Sequence, residues 1–429
     1  MIIWIKNGRL VDPVKGIVGG QDVVVRDKKI DKILPSNEFR AEDDSIKVID
    51  ASGMIVVPGL IDMHVHLREP GYEHKETILS GSMAGAAGGF TGLACMPNTD
   101  PVNDMASVTA LILDSAHKAD LINIYPIAAI TMAQKGEILS DFSELKSAGA
   151  VGVSDDGFPV SNDEIMLKAI KRAKDNGLAI ISHCEDIGLS ASGVMHQGVV
   201  SEKIGLKSIP SASEECLVKR EISLAADSGC PVHIAHVSTA GSVLIIKKAK
   251  EAGIPVTAET APHYFSLDHT AVIGYNANAK MNPPLRTPED VTAIKQALAE
   301  DVIDVIATDH APHSPAEKAL GFEKAPFGII GLETALPLTL ALVREGVLSL
   351  PKAIQKLTCS PASILGIDRG RIKKGGYADL AIIDPEMEYI LKKRDLLSKS
   401  ENSPFIGKLL KGKNVLTMFE GRIVWEGNV

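Results

Sequence analysis

The chain has 429 residues, 45% hydrophobic and 23% charged, enough to bury one large core and a smaller accessory one and unlike a disordered or fibrous chain. A formal charge of −9 with no basic cluster argues against a nucleic-acid partner. The opening MIIWIKNGRL has no basic segment ahead of a long apolar core, and no apolar run reaches the ~20 residues that span a bilayer, so a cytoplasmic protein with no membrane partner is expected.

The chain begins with short strand-like runs and turns, MIIWIKNGRLVD, DVVVRDKKIDKIL and SIKVIDASGMIVV. From residue 56 to 365 the pattern changes to apolar, strand-length runs alternating with amphipathic helices. The runs fall at 60–67, 90–96, 122–129, 150–154, 178–183, 231–236, 255–260 and 302–308. Helices are predicted at 163–175, 213–227 and 242–252, followed by the stop glycines Gly177, Gly229 and Gly253. Thr287-Pro288-Glu289-Asp290 supplies a cap, a first-turn proline and acids for another. Eight such units, with no G-x-G-x-x-G after the first run, predict an α/β fold of the (β/α)8 TIM-barrel type rather than a doubly wound sheet. The end of the chain returns to β material. The expected organisation is therefore a barrel over 56–365 and a small β-sandwich domain formed by both termini, 1–55 and 366–429.

Five widely spaced cysteines, Cys95, Cys184, Cys216, Cys230 and Cys359, form no C-x-x-C pair and are expected as buried free thiols.

In a TIM barrel the functional groups gather at the C-terminal ends of the strands. The first run ends in GLIDMHVHLRE, where His64 and His66 are two residues apart and share a strand face. AVGVSDDG ends in Asp155 and Asp156, LAIISH in His183, PVHIAH in His236 and DVIDVIATD in Asp309. A lone histidine at a strand end is usually a satisfied polar residue. Five strand ends carrying ligand-type residues, in a chain with only twelve histidines, point instead to a metal centre. Four imidazoles and two carboxylates suit a pair of first-row divalent ions, zinc above all, which hydrolyse amides without a protein nucleophile. No G-x-S-x-G elbow or Walker A loop offers another chemistry. His233 and His310 have the wrong parity to join the set and are read as structural, and His263 is placed close behind it. Segments 195–213 and 314–328 are candidate lids by composition and position.

The early H-x-H, the single histidines ending the fifth and sixth strands and the aspartate ending the eighth resemble the amidohydrolase superfamily across essentially the whole chain. Within it, DMHVHLREPGYEHKET, CMPNT, KMNPPLR and TDHAPH are similar to the long, bacterial and archaeal dihydroorotase family. The resemblance implies two Zn2+ ions, one held by His64, His66 and Asp309 and the other by His183 and His236. Parity leaves Asp155 and Asp156 open as the bridge, and the family pattern S-D-D-G favours Asp156. It also implies reversible interconversion of N-carbamoyl-L-aspartate and L-dihydroorotate in pyrimidine synthesis, with a metal-bridged hydroxide as nucleophile and Asp309 as proton shuttle. Arg68, expected on the same strand parity as His66, would meet the substrate carboxylate. Asn98, Asn282, His313, Phe327 and Gly328 would complete the substrate contacts. A homo-oligomer and an aspartate transcarbamoylase partner also follow from the resemblance. The alternatives are another cyclic amidohydrolase (an allantoinase or dihydropyrimidinase) or a non-catalytic scaffold for the transcarbamoylase.

Overall fold

The structure is a computed structural model and describes residues 1–36, 38–39 and 46–427. Ser45, which opens the run SIKVIDASGMIVV, and residues 428–429 of the last β run lie outside the described residues. Six strands come first: β1 (Ile2–Lys6), β2 (Arg9–Asp12), β3 (Gly16–Arg26), β4 (Lys29–Pro35), β5 (Ile46–Asp50) and β6 (Ile55–Pro58). The centre carries β7 (Leu60–Val65), β8 (Phe90–Cys95), β9 (Asn123–Ala128), β10 (Gly152–Val153) and β11 (Ala179–Ser182). A small pair, β12 (Met195–His196) and β13 (Ser208–Ile209), precedes β14 (Val232–Ile234), β15 (Val256–Thr260) and β16 (Val305–Ile306). The chain ends with β17 (Leu380–Ile390), β18 (Leu409–Phe419) and β19 (Arg422–Glu426).

Eight strands, β7 to β11 and β14 to β16, form one parallel sheet in sequential order. A parallel bridge between Val65 and His310 joins its first strand to the segment after its last, which makes it a TIM-like barrel. Neighbouring residues on each strand point to opposite faces. Leu93, Ala128, Ile180, Ile234 and Ile306 pack outward among the helices, while their neighbours Ala94, Ile127, Ile181, Ala235 and Val305 fill the barrel interior. Both faces of the sheet are thus buried, which explains the near-continuous apolar runs.

The predicted helices form within two residues of expectation at Asp163–Asp175, Ala212–Ser228, Ala240–Glu251 and Pro288–Ala299. The third starts early because the Thr239 side chain accepts from Ser242 N and caps it. Thr287 and Asp290 make a reciprocal capping box on the fourth. Several barrel strands are shorter than the apolar runs, such as Gly152–Val153 within 150–154. Ladder bonds nonetheless continue beyond them, including Ser154 N to Ala128 O at 2.8 Å and His66 N to His310 O at 2.8 Å.

The termini join in a nine-strand sheet in which β6 pairs with both β2 and β17. It curls around its own core, with Ile3, Ile5 and Val25 facing Leu380, Ile382 and Met418 within one buried cluster. Asn414 and Thr417 on β18 dock this sheet on the barrel by donating to Ala86 O, a carbonyl at the end of the helix Ile78–Gly88. All five cysteines are free thiols, but Cys216, unlike the other four, is exposed.

Candidate metal centre

His64, His66, Asp156, His183, His236 and Asp309 converge at the C-terminal mouth of the barrel, all buried. Asp156 stands at the middle. Its Oδ1 lies 3.5 Å from His64 Nε2 and 3.4 Å from both His183 Nδ1 and His236 Nε2, and its Oδ2 lies 3.4 Å from His66 Nε2. Asp309 Oδ1 lies 3.6 Å from His64 Nε2 and 3.2 Å from His66 Nε2. Ligand atoms held tetrahedrally ~2.1 Å from one zinc stand roughly 3.4 Å apart, so this spacing fits ions seated among them. The orphaned polar atoms agree, because His64 Nε2 and Asp156 Oδ1 are buried with no hydrogen-bond partner. Two groups within this set have the spacing to hold an ion, His64–Asp156–His236 and His64–His66–Asp309.

Strand parity does not by itself produce this arrangement. His236 and Asp309 lie past their strands with φ of 35° and 47°, and because Ile234 packs outward, it is the left-handed turn that brings His236 into the mouth. Arg68 is a correction. The strand ends at Val65 and Arg68 has φ 62°, so it arrives by a turn and not by sharing the His66 face. Its Nη2 lies 3.4 Å from His313 Nε2, and its Nε donates to Pro312 O at 3.4 Å. The adjacent aspartates separate cleanly. Asp155 faces away from the set and accepts from Ile130 N, Thr131 N and Thr131 Oγ1.

The electrostatics favour a cation. Burial pushes Asp156 up, but the His64 charge and contacts from His183 and His236 hold it well below the usual carboxylate range. Burial likewise opposes ionisation of Asp309, and His64 and His66 outweigh it. His183 is raised to about 10 although burial works against it, because Asp156 and Glu185 face its two nitrogens. His313 is driven down to about 2 by burial and by the charges of Arg68, Lys75 and Lys318. It is therefore a neutral ring, and its Nε2 donates to Phe327 O at 2.8 Å.

The other candidate contacts ring the same mouth. Asn98 Nδ2 donates to Asp156 O at 2.8 Å, and Asn98 Oδ1 is left without a partner. Asn282 Nδ2 donates to Glu185 Oε2 at 2.8 Å, beside His183. Gly328 has φ 153°, and a Cβ there would lie 2.5 Å from Ala311 O, so the approach of this loop to the mouth requires glycine. The structural reading of His233 and His310 agrees with their burial against Glu259 and Glu76. His263 is buried nearby, its pKa lowered to about 4 by burial, and its Nε2 has no hydrogen-bond partner.

Three groups escaped the sequence reading. Glu259 accepts from His64 Nδ1 at 2.6 Å. Glu185 Oε2 lies 2.9 Å from His183 Nε2. Asn402 accepts from His313 N at 3.0 Å and donates to Ala311 O at 2.9 Å and Gly328 O at 3.0 Å. The first two carried a readable signal, an acid alternating with apolar residues in VTAET and an acid two residues after a strand-end histidine in HCE. Asn402 carried none, since its partners are 74 to 91 residues away in sequence.

A dihydro-orotase-like family model matches residues 53–242. Dihydroorotases of Geobacter metallireducens and Geobacter sulfurreducens are each 51% identical to this chain, covering 99% of it and 100% and 99% of their own lengths. The dihydroorotase of Syntrophus aciditrophicus is 46% identical over 99% of this chain and 100% of its own. Among solved structures, an L-hydantoinase (dihydropyrimidinase) from Arthrobacter aurescens superposes with a TM-score of 0.87 at 26% identity, covering 99% of this chain and 96% of that one. A dihydropyrimidinase from Brevibacillus agri gives 0.84 at 24%, covering 99% and 95%, a likeness of fold alone.

Proposed function

Because this chain belongs to the dihydroorotase family, we propose that it catalyses the reversible, zinc-dependent cyclisation of N-carbamoyl-L-aspartate to L-dihydroorotate in pyrimidine synthesis. The observation that carries the reading is the convergence of four histidines and two aspartates at metal-ligand spacing, with a guanidinium beside them. His64, His66 and Asp309 would hold one Zn2+ ion and His183 and His236 a second, with Asp156 shared between them. Two such ions supply, when bound, an acidified water and polarisation of the amide carbonyl.

The remaining work falls to the chain. Asp309, ionised and 3.2 Å from His66 through Oδ1, takes the proton of the attacking water on a carboxylate oxygen and delivers it to the departing ring nitrogen. In the cyclising direction the same oxygen removes that proton from the carbamoyl nitrogen. Arg68 pairs its planar fork with the substrate carboxylate. Asn98 and Asn282 donate to the ring carbonyls by exchanging their present acceptors, Asp156 O and Glu185. His313 and the backbone at Phe327 and Gly328 close the far side of the ring.

The hydantoinase-like fold favours one competing reading, hydrolysis of a cyclic amide without a carboxylate. Metal analysis alongside turnover of dihydroorotate, allantoin and dihydrouracil tests both. Two zinc ions per chain and a strong preference for dihydroorotate are expected, and equal or greater turnover of the other two would overturn the substrate assignment. A homo-oligomer, a docked aspartate transcarbamoylase and a cytoplasmic location belong to the same proposal. Light scattering with and without the transcarbamoylase tests the first two. Among the described residues no helix is long and apolar enough to cross a membrane.

A further inference from the structure

Below the mouth, the barrel interior is not wholly apolar. Ile234, Val256 and Ala258 pack outward among the helices, so alternation along β14 and β15 turns His233, Thr257 and Glu259 inward. Glu259 is 1% exposed, and a carboxylate so placed is tolerable only when paired. His64 Nδ1–H donates to its Oε1 at 2.6 Å. Its Oε2 lies 3.3 Å from His233 Nε2, and neither atom has a hydrogen-bond partner. His233 is in turn anchored through Nδ1, 2.8 Å from Thr257 Oγ1. Thr257, His233, Glu259 and His64 thus form one polar column rising through the barrel, and its top ring turns an orphaned Nε2 toward Asp156 and Asp309.

We infer that Glu259 is a positioning residue of the metal centre: it keeps the hydrogen of His64 on Nδ1, so that Nε2 is the nitrogen offered to an ion seated between Asp156 and Asp309, and His233 steadies its second oxygen. Packing alone does not account for the arrangement. A core filler would be apolar, whereas this carboxylate meets the one nitrogen of His64 that the metal centre leaves free. A carboxylate behind a ligating imidazole fixes the ring and raises its basicity, and losing it costs roughly 10–100-fold in metal affinity.

The inference rests on the metal-dependent reading, and the test separates the two. Full-length parent, Glu259→Gln and His233→Asn proteins are loaded with Zn2+, and their ions are counted and titrated against a chromophoric chelator. Cobalt-loaded forms are compared by visible absorption, and folding is checked by circular dichroism. The parent should hold two ions. Glu259→Gln, which keeps an acceptor but not the charge, should bind one of them roughly 10-fold or more weakly with the other unchanged. Its cobalt spectrum should lose intensity from one site only. His233→Asn should shift the same ion in the same direction by less, and it decides the matter should Glu259→Gln fail to fold. A parent without bound metal overturns the functional reading and the inference with it. Folded variants that bind both ions with parental affinity and spectrum overturn the inference alone.

Discussion

His64, His183, His236 and Asp309 stand at or just past the ends of barrel strands, where the parallel ladder and the carboxylates of Glu259 and Glu185 hold them. Arg68, His313, Phe327 and Gly328 stand on loops, and what holds them comes from far along the chain. Asn402 bonds both arms of the 313–328 loop with a single side chain. Lys318 donates from inside that loop to Ala277 O and Pro326 O, both at 2.9 Å. On the roles proposed above, the mouth has a strand-end floor for the chemistry and a loop-borne wall for choosing the substrate, the usual division of labour in a TIM barrel. Damage to the floor should abolish turnover whatever the substrate. Damage to the wall should change which substrate is used.

The sharpest break of this contrast is Asp309→Asn, which removes the proposed proton carrier but keeps the shape of a floor residue. Turnover of dihydroorotate should fall by about 10²–10⁴-fold with the circular dichroism spectrum retained, and near-parental turnover would rule out the proton role. Next comes Arg68→Gln on the wall. Losing a charged pair worth ~1.5–3 kcal/mol should lower kcat/KM for dihydroorotate about 10–100-fold. Any slow hydrolysis of dihydrouracil, which has no carboxylate, should be far less affected, and an equal loss on both substrates would assign Arg68 to the floor.

Asn402→Ala leaves His313 N, Ala311 O and Gly328 O unpartnered. KM should rise several-fold, by ~1–2 kcal/mol of lost pre-organisation, with kcat and zinc content near parental. Steady-state kinetics with metal analysis checks this, and a loss of zinc would erase the distinction between floor and wall.

The smallest effect concerns the support of the wall. Glu333 Oε1 accepts from Leu397 N at 2.7 Å and so anchors the segment that carries Asn402. Its surroundings bury the carboxyl enough to push it up to about 8, against the pull of the Leu397 and Ser398 N–H groups. A carboxyl raised on folding holds a proton that the unfolded chain has already released, so its contribution is full below about pH 4 and is lost as pH rises through about 8. Glu333→Gln should match the parent near pH 5 and melt roughly 2–4 °C higher at pH 9. Parallel melting curves at both pH values would contradict this.

Much of this was legible in the chain alone, for identifiable reasons. Barrel strands buried on both faces read as apolar runs, and the helices between them carried their own signals, such as the cap Thr287 with Asp290. Because barrel function gathers at strand ends, an apolar run ending in His or Asp marked each candidate ligand. Loop contacts were legible only through resemblance, since no periodicity governs Asn98, Asn282 or His313. Asn402 was invisible because a bond across 74 residues leaves no local pattern.

The sequence by itself determined which side chains could reach the mouth, because β periodicity and burial are local properties that each strand expresses alone. Only the tertiary structure decided how they are aimed. A left-handed turn at His236 overrides strand parity and another brings in Arg68, and three backbone and side-chain donors claim Asp155, leaving Asp156 to the histidines. A dihedral at a strand end and a partner from another strand are set by the packing of the whole barrel, and no short stretch of chain encodes either.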